Sequence, residues 1–296
     1  MRENPFHPGE RKVQQRAAEM DEANRNSAMI TPFIPRGAIP FLKQQPLLIL
    51  GIFHKGEMWC LPASGHPGWM TAIPDSIELD LTQALVPLDE RILQAADEQQ
   101  AVGGIVLDFA TRRRLRINGR LERSGPGLMV LKVGEAYPNC PKYITQRSLV
   151  CSERFSAPLD TAGASLTQEQ RAMIEMTDIL FIATQHSDRG LDASHRGGNP
   201  GFVQSLDETT ISFPDYRGNS LFNTLGNLEI DSRASVLVPD FKHGQALVLT
   251  GKATVTYSSD GHARTTTMAV SRWNQIAIPI SETSRRLSPF NPSIDK

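Results

Sequence analysis

The chain has little of what marks most specialised protein classes. Three cysteines among 296 residues are an odd number at spacings that match neither a zinc site nor a disulfide framework. Cys60, Cys140 and Cys151 therefore read as free thiols of a reducing compartment. The longest apolar run, Pro46 to Phe53, suits a buried strand and is far too short to cross a bilayer. Charge of neither sign prevails: 31 Lys and Arg face 32 Asp and Glu, for a net charge of −1. That balance supplies no global field for nucleic acid or a membrane surface. The first residues carry no apolar signal segment, so a cytoplasmic location is expected. There is no Walker loop, no Gly-x-Gly-x-x-Gly after a strand and no Gly-x-Ser-x-Gly elbow, which removes the usual anchors of nucleotide and hydrolase chemistry. No pattern announces a metal site or a catalytic acid–base pair. The 7 histidines are scattered, and axial ligation of a haem iron by one of them stays open.

What the sequence does have is a repeat. Gly65-His66-Pro67-Gly68-Trp69 matches Gly198-Asn199-Pro200-Gly201-Phe202 at an offset of 133 residues. Asp108-Phe109 matches Asp240-Phe241, and Ile117-Asn118-Gly119 matches Leu249-Thr250-Gly251, both at 132. Three anchors at nearly one offset imply two copies of a domain-sized unit. Each copy reads as a helix (38–45; 167–176), an apolar strand (47–53; 179–184), the Gly-x-Pro-Gly element, a short β run (77–81; 210–213) and a second helix (89–99; 221–227). Two long strands (104–108 with 115–121; 235–240 with 246–257) then close the unit. Thr167 and Gln170 form a capping box at the start of the second copy. Many short strands and few helices predict small barrels with flanking helices. The expected organisation is an N-terminal helix and linker over 1–36, copy one over 37–152, a linker over 153–165 and copy two over 166–296. Within the first segment, Pro8 to Asn24 reads as one charged helix.

The two copies diverge where chemistry is expected. Copy two carries Ser194-His195-Arg196-Gly197, then Asp215-Tyr216-Arg217-Gly218-Asn219, then Asn223. Copy one has Pro62 and Ala63 opposite His195 and Arg196, and Ala84, Val86 and Glu90 opposite Arg217, Asn219 and Asn223. Arginine and amide side chains beside a glycine-permissive backbone suit an anionic ligand. Copy one has instead the run Arg112-Arg113-Arg114-Leu115-Arg116, which copy two lacks. Strand alternation places Arg114 and Arg116 on one face. They face either solvent, as charge runs usually do, or a site shared with copy two.

These segments resemble the pyridoxamine 5'-phosphate oxidase-like FMN-binding split barrels, most nearly the flavin-nucleotide-binding branch. The likeness is good over about residues 166–257 and fainter in the first half. The fold it implies is mainly β with flanking helices (α+β), two FMN-binding-type split β-barrels in tandem. It implies FMN as cofactor, phosphate contact by Arg217, Asn219 and Asn223 beside Asp215 and Tyr216, and ring or ribityl contact by Ser194, His195, Arg196 and Gly197. The oxidases have Ser-Arg-Lys where this chain has Gly218-Asn219-Ser220, a loss of two cations. Arg112 to Gly119 is similar to an arginine-bearing strand of the oxidases, and Asn139 to Ile144, then Arg147, to a segment that follows the barrel in single-copy relatives, where Lys142 or Arg147 would reach an anionic cofactor. On this reading Arg114, Arg116 and Lys142 reach from copy one to a flavin held by copy two, a pseudo-dimer within one chain; a homodimer of chains is the competing arrangement. The implied activity is hydride or electron transfer between a nicotinamide (NADH or NADPH) and an unidentified acceptor. A flavin carrier or sensor without turnover, and a haem-binding or haem-degrading split barrel, are the alternatives.

Overall fold

A computed structural model describes residues 5–138, 141–152 and 161–293. Two antiparallel sheets dominate it. The first runs, neighbour to neighbour, Glu57–Ser64, Leu47–His54, Ala101–Asp108, Arg113–Arg123, Leu128–Pro138, Ser76–Asp80 and Met70–Ile73. The second runs Gly190–Gly197, Ile179–His186, Arg233–Asp240, Gln245–Tyr257, Arg264–Ala277, Thr210–Pro214 and Gln204–Ser205. The spatial order is the same in both. The chain is mainly β with flanking helices, two split-barrel sheets in tandem.

The repeated sequence anchors have repeated structural jobs. Gly119 and Gly251 each sit at a register shift, opposite Val133 and Val270. A Cβ on Gly119 would stand 1.8 Å from the Lys132 carbonyl oxygen, and one on Gly251 2.0 Å from that of Ala269, so only glycine lets the bulged strands close. In the Gly-x-Pro-Gly elements the aromatic ring folds back over the first glycine, Trp69 over Gly65 and Phe202 over Gly198, where a Cβ would clash at 2.4 and 2.6 Å. Phe109 and Phe241 meet edge to face at 5.6 Å. Arg147 lies 5.9 and 5.7 Å from their ring centres and is paired in the interior with Asp178 and Glu282.

The sheets share one core. Leu48, Ile49, Ile105 and Leu115 of the first pack in a single cluster with Phe181, Ala183, Leu237 and Val248 of the second. Each of these side chains larger than alanine contributes about 1.5–3 kcal/mol when removed from water, so the two sheets stabilise each other. A smaller cluster fills the second barrel. Phe6, Ala23, Tyr137 and Leu221 form a third, which seats the N-terminal segment.

The structure differs from the sequence reading in four places. The helix expected over Pro8 to Asn24 is two helices, Pro8–Arg16 and Met20–Asn26, because Ala18 turns into the left-handed region at φ 55°. A third long strand closes each copy, Leu128–Pro138 and Arg264–Ala277. Thr161–Gly163, within the stretch read as linker, pairs with Arg264–Ala277 at the edge of sheet two. Gln146–Cys151, at the end of copy one, pairs with Ile280–Arg286 near the C-terminus. Cys60 is buried and Cys151 half-buried, both free thiols; Cys140 lies outside the described residues. Among those residues no helix is long and apolar enough to cross a membrane.

Candidate functional site

The two sheets meet where strand Arg113–Arg123 of the first approaches strand Gly190–Gly197 of the second. Both of these strands obey the pleat. Arg114 and Arg116 point one way, Leu115 and Ile117 into the core. Their charged face is turned on copy two: Arg114 Nη1 donates to His195 Nδ1 at 2.9 Å, and Arg116 Nη2 donates to the Ser194 hydroxyl at 2.5 Å. The solvated-hairpin alternative is set aside by these contacts.

A cleft open to solvent lies at this junction. Nine of the twelve residues singled out from the sequence line it: Arg114 and Arg116 from copy one; His195, Arg196 and Gly197 from one strand of copy two; Asp215, Tyr216 and Asn219 from the loop after Thr210–Pro214; and Asn223 at the start of helix Asn223–Leu228. Ser194 stands just behind, donating to Asp192 Oδ2 at 3.0 Å and sharing a 2.7 Å bond with the Thr224 hydroxyl. Two residues fall elsewhere. Arg217, the expected phosphate grip, does not line the cleft; its side chain is 69% exposed and pairs with Glu22 at 2.9 Å. Lys142 is half-buried and outside the lining, while its neighbour Tyr143 is in it.

The electrostatics are those of a donor-rich pocket. Three arginines line it against one carboxylate, Asp215. Arg196 pairs with Asp215 at 3.0 Å. Arg116, almost wholly buried, pairs with Asp192 at 3.1 Å and donates to the Tyr137 hydroxyl at 2.9 Å and to Asn223 Oδ1 at 3.1 Å. Burial alone would weaken the Arg116 cation, but the Asp192 carboxylate and Tyr137 hold it firmly charged. His195 is held neutral, its pKa pushed well down by burial and then by Arg114, Arg196 and Arg147. Arginine can only donate, so His195 Nδ1 accepts and the ring proton sits on Nε2. That Nε2–H is buried without an acceptor among the described residues, as is Arg116 Nε. Two orphaned donors in the wall fit a ligand rich in acceptors.

Of the aromatic part of the wall, Tyr216 was expected and Tyr143 was not. Tyr143 and Tyr216 lie with ring centres 5.2 Å apart and planes tilted by 43°, and the Tyr143 hydroxyl donates to the Arg217 carbonyl at 3.0 Å. Gly197 packs so closely beneath the Tyr143 carbonyl that a Cβ would stand 1.9 Å from it. Glu10, Asp192 and Arg264, which brace the site from behind, also escaped the sequence. Only Tyr143 carried a signal, its place beside Lys142.

The equivalent position on the other side of the sheet pair is apolar. Arg114 and Arg116 pair with Leu107 and Ile105; at the matching register of sheet two, Ala246 and Val248 pair with Pro239 and Leu237. His195 pairs with Phe181, and its counterpart Pro62 with Ile49. Ala246 and Val248 are buried in the shared core, so the wall that is polar on one side is apolar at the matching register.

The fold and site thus describe two split-barrel sheets in tandem with a donor-rich cleft where they meet. Searches of protein-family models and of curated proteins match nothing. Among solved structures the chain is similar to an FAD-binding protein from Mesorhizobium loti (10% identity, 39% of this chain and 98% of that one, TM-score 0.28). It is also similar to a Clostridium acetobutylicum protein related to a general stress protein of the pyridoxinephosphate oxidase family (8% identity, 40% and 90%, TM-score 0.30). A third is the FAD and heme binding protein from Mycobacterium smegmatis (11% identity, 45% and 76%, TM-score 0.29). Each likeness spans less than half of the chain.

Proposed function

We propose that the cleft binds flavin mononucleotide and that the chain is a flavoprotein serving hydride or electron transfer between a nicotinamide and an acceptor. The observation that carries the binding reading is the donor set in the wall: three arginines against one carboxylate, with the buried His195 Nε2–H and Arg116 Nε both lacking acceptors. A flavin nucleotide is an anion with a ring whose edge is lined with acceptors. Arg114 and Arg196 would hold its phosphate and His195 would donate to an acceptor atom. Tyr143 and Tyr216 would cover apolar surface, and the backbone at Gly197 would allow close approach. The flavin, when bound, supplies the redox chemistry; the protein supplies binding and electronics. No side chain in the wall is poised as a base, since Asp215 is tied to Arg196 and Arg264 and His195 already carries its proton on the side away from Arg114. The tandem repeat supports an origin by duplication, in which the two halves of one chain replace two subunits and a monomer holds one flavin.

A haem reading is weaker on the same geometry. An iron-ligating imidazole offers one nitrogen to the metal and donates the other N–H to an acceptor. Here the other nitrogen faces the Arg114 guanidinium, and among the described residues no other histidine lines the cleft. The test is the visible spectrum of the purified protein, followed by FMN titration of the apoprotein. Flavin absorption and saturation near one FMN per chain are expected. A Soret band, or no FMN binding, would overturn the reading. Bleaching of bound flavin by NADH or NADPH under nitrogen separates an enzyme from a carrier.

A further inference from the structure

The loop over 215–222 lines the cleft but carries neither strand nor helix. Ser220 and Phe222 both stand in the left-handed region, at φ 61° and 63°, a conformation side chains disfavour unless their surroundings enforce it. The enforcement comes from the N-terminal arm. Asn223 Nδ2 donates to Glu10 at 2.7 Å. Gln14 Nε2 donates to the Leu221 carbonyl at 3.2 Å. The Ser220 hydroxyl donates to Glu19 at 2.5 Å. Arg217 pairs with Glu22 at 2.9 Å, and Asn26 Nδ2 donates to the Asn219 carbonyl at 2.8 Å. Glu10 and Gln14 are four apart on one helix, and Glu22 and Asn26 four apart on the next, so each helix turns one face to the loop. Glu19 lies between the helices and does a second job. It accepts from buried Arg264 at 3.3 Å, and Arg264 Nε reaches Asp215 at 3.2 Å.

We propose that the arm, residues 7–26, is a positioning element of the binding cleft, with Glu19 the positioning residue that fixes loop 217–223 against sheet two. The proposal rests on the reading of the cleft as a flavin site. The arm shapes the loop and, by engaging Arg217 and Arg264, leaves the anion to Arg114 and Arg196. The N-terminal arm and both sheets then build one pocket.

The test uses the full chain and two readouts: amide hydrogen exchange across 215–226 without ligand, and FMN affinity. In Glu19→Gln the loop amides should exchange at least tenfold faster while those of the two sheets keep their rates, FMN affinity should fall at least tenfold, and Glu19→Asp should recover part of both. Asn26→Ala, which removes no charge, should move both readouts the same way by less; it decides the matter should Glu19→Gln fail to fold. Lys12→Ala, whose ion pair goes to Glu229 at 2.5 Å rather than to the loop, should move neither. Unchanged loop exchange in both Glu19→Gln and Asn26→Ala overturns the proposal, as does equal acceleration across loop and sheets. Absence of FMN binding by the wild-type protein overturns the flavin reading alone, because the exchange readout needs no ligand.

Discussion

The sharpest perturbation is Arg114→Ala set beside Arg217→Ala. The sequence favours Arg217 as the phosphate grip, whereas the structure puts Arg114 in the cleft wall and turns Arg217 outward to Glu22. A hydrogen bond to a charged group contributes about 1.5–3 kcal/mol, so Arg114→Ala should weaken FMN binding roughly 10- to 150-fold. It also removes the donor on His195 Nδ1, which releases the ring tautomer and deepens the loss. Arg114→Lys should fall between, keeping charge but not the fork. The Arg217–Glu22 pair is exposed and screened by water, worth about 0–1 kcal/mol, so Arg217→Ala should change affinity by no more than about fivefold. The assay is quenching of flavin fluorescence at fixed ionic strength, with thermal midpoints recorded to exclude unfolding. A loss in Arg217→Ala equal to or larger than that in Arg114→Ala would refute the reasoning and return the anion to the loop.

Three further outcomes are expected. Burial raises the Glu10 carboxyl to about 8 from an ordinary 4.5; its stabilising protonated form is complete below 4.5 and lost as pH rises to 8. Burial, then His186, lowers His7 to about 4 from 6.5; its contribution is complete above 6.5 and lost as pH falls. The two slopes oppose between 4.5 and 6.5, so docking of the arm should weaken from pH 6.5 to 8, by at most about 2 kcal/mol for one proton; proteolysis of the arm against pH checks this, and Glu10→Gln should flatten the profile. Gly119→Ala should cost on the order of 1–3 kcal/mol through overpacking at the bulge, read as a lower thermal midpoint, whereas Gly37→Ala, with nothing within 4 Å of the added carbon, should be near neutral. Residues 161–293 expressed alone should self-associate or fail to fold, since Phe181, Ala183 and Leu237 would lose the first-sheet half of their core; a stable monomer that binds FMN as tightly as the whole chain would contradict the composite cleft.

Much of the architecture is written in local pattern. The apolar runs at 47–53 and 179–184 are the strands Leu47–His54 and Ile179–His186, and Thr167 with Gln170 caps helix Gln168–Met176 as a reciprocal pair. Strand Arg264–Ala277 was hidden because its inward positions include Arg264 and Thr266. Hydropathy alternation cannot reveal a buried arginine whose partners, Glu19 and Asp215, lie far off in sequence. The polar cluster of copy two and the arginine face of copy one were legible as candidates, since their residue types fit an anion and their counterparts do not. The direction of Arg217 was not, because it depends on Glu22 in a helix nearly two hundred residues upstream. Glu10 was beyond reach for the same reason: a carboxyl that is buried beside Asn223 is indistinguishable in sequence from one on a solvated helix.

The apolar residues at the matching register have a consequence for how ligand concentration is sensed. A symmetric pair of halves carries two sites, and occupation of one can alter the other. With Ala246, Val248 and Pro62 standing where Arg114, Arg116 and His195 would be needed, the described residues build no second wall of that kind. The chain's saturation curve should be a simple hyperbola, graded over the concentration of its ligand, with no threshold.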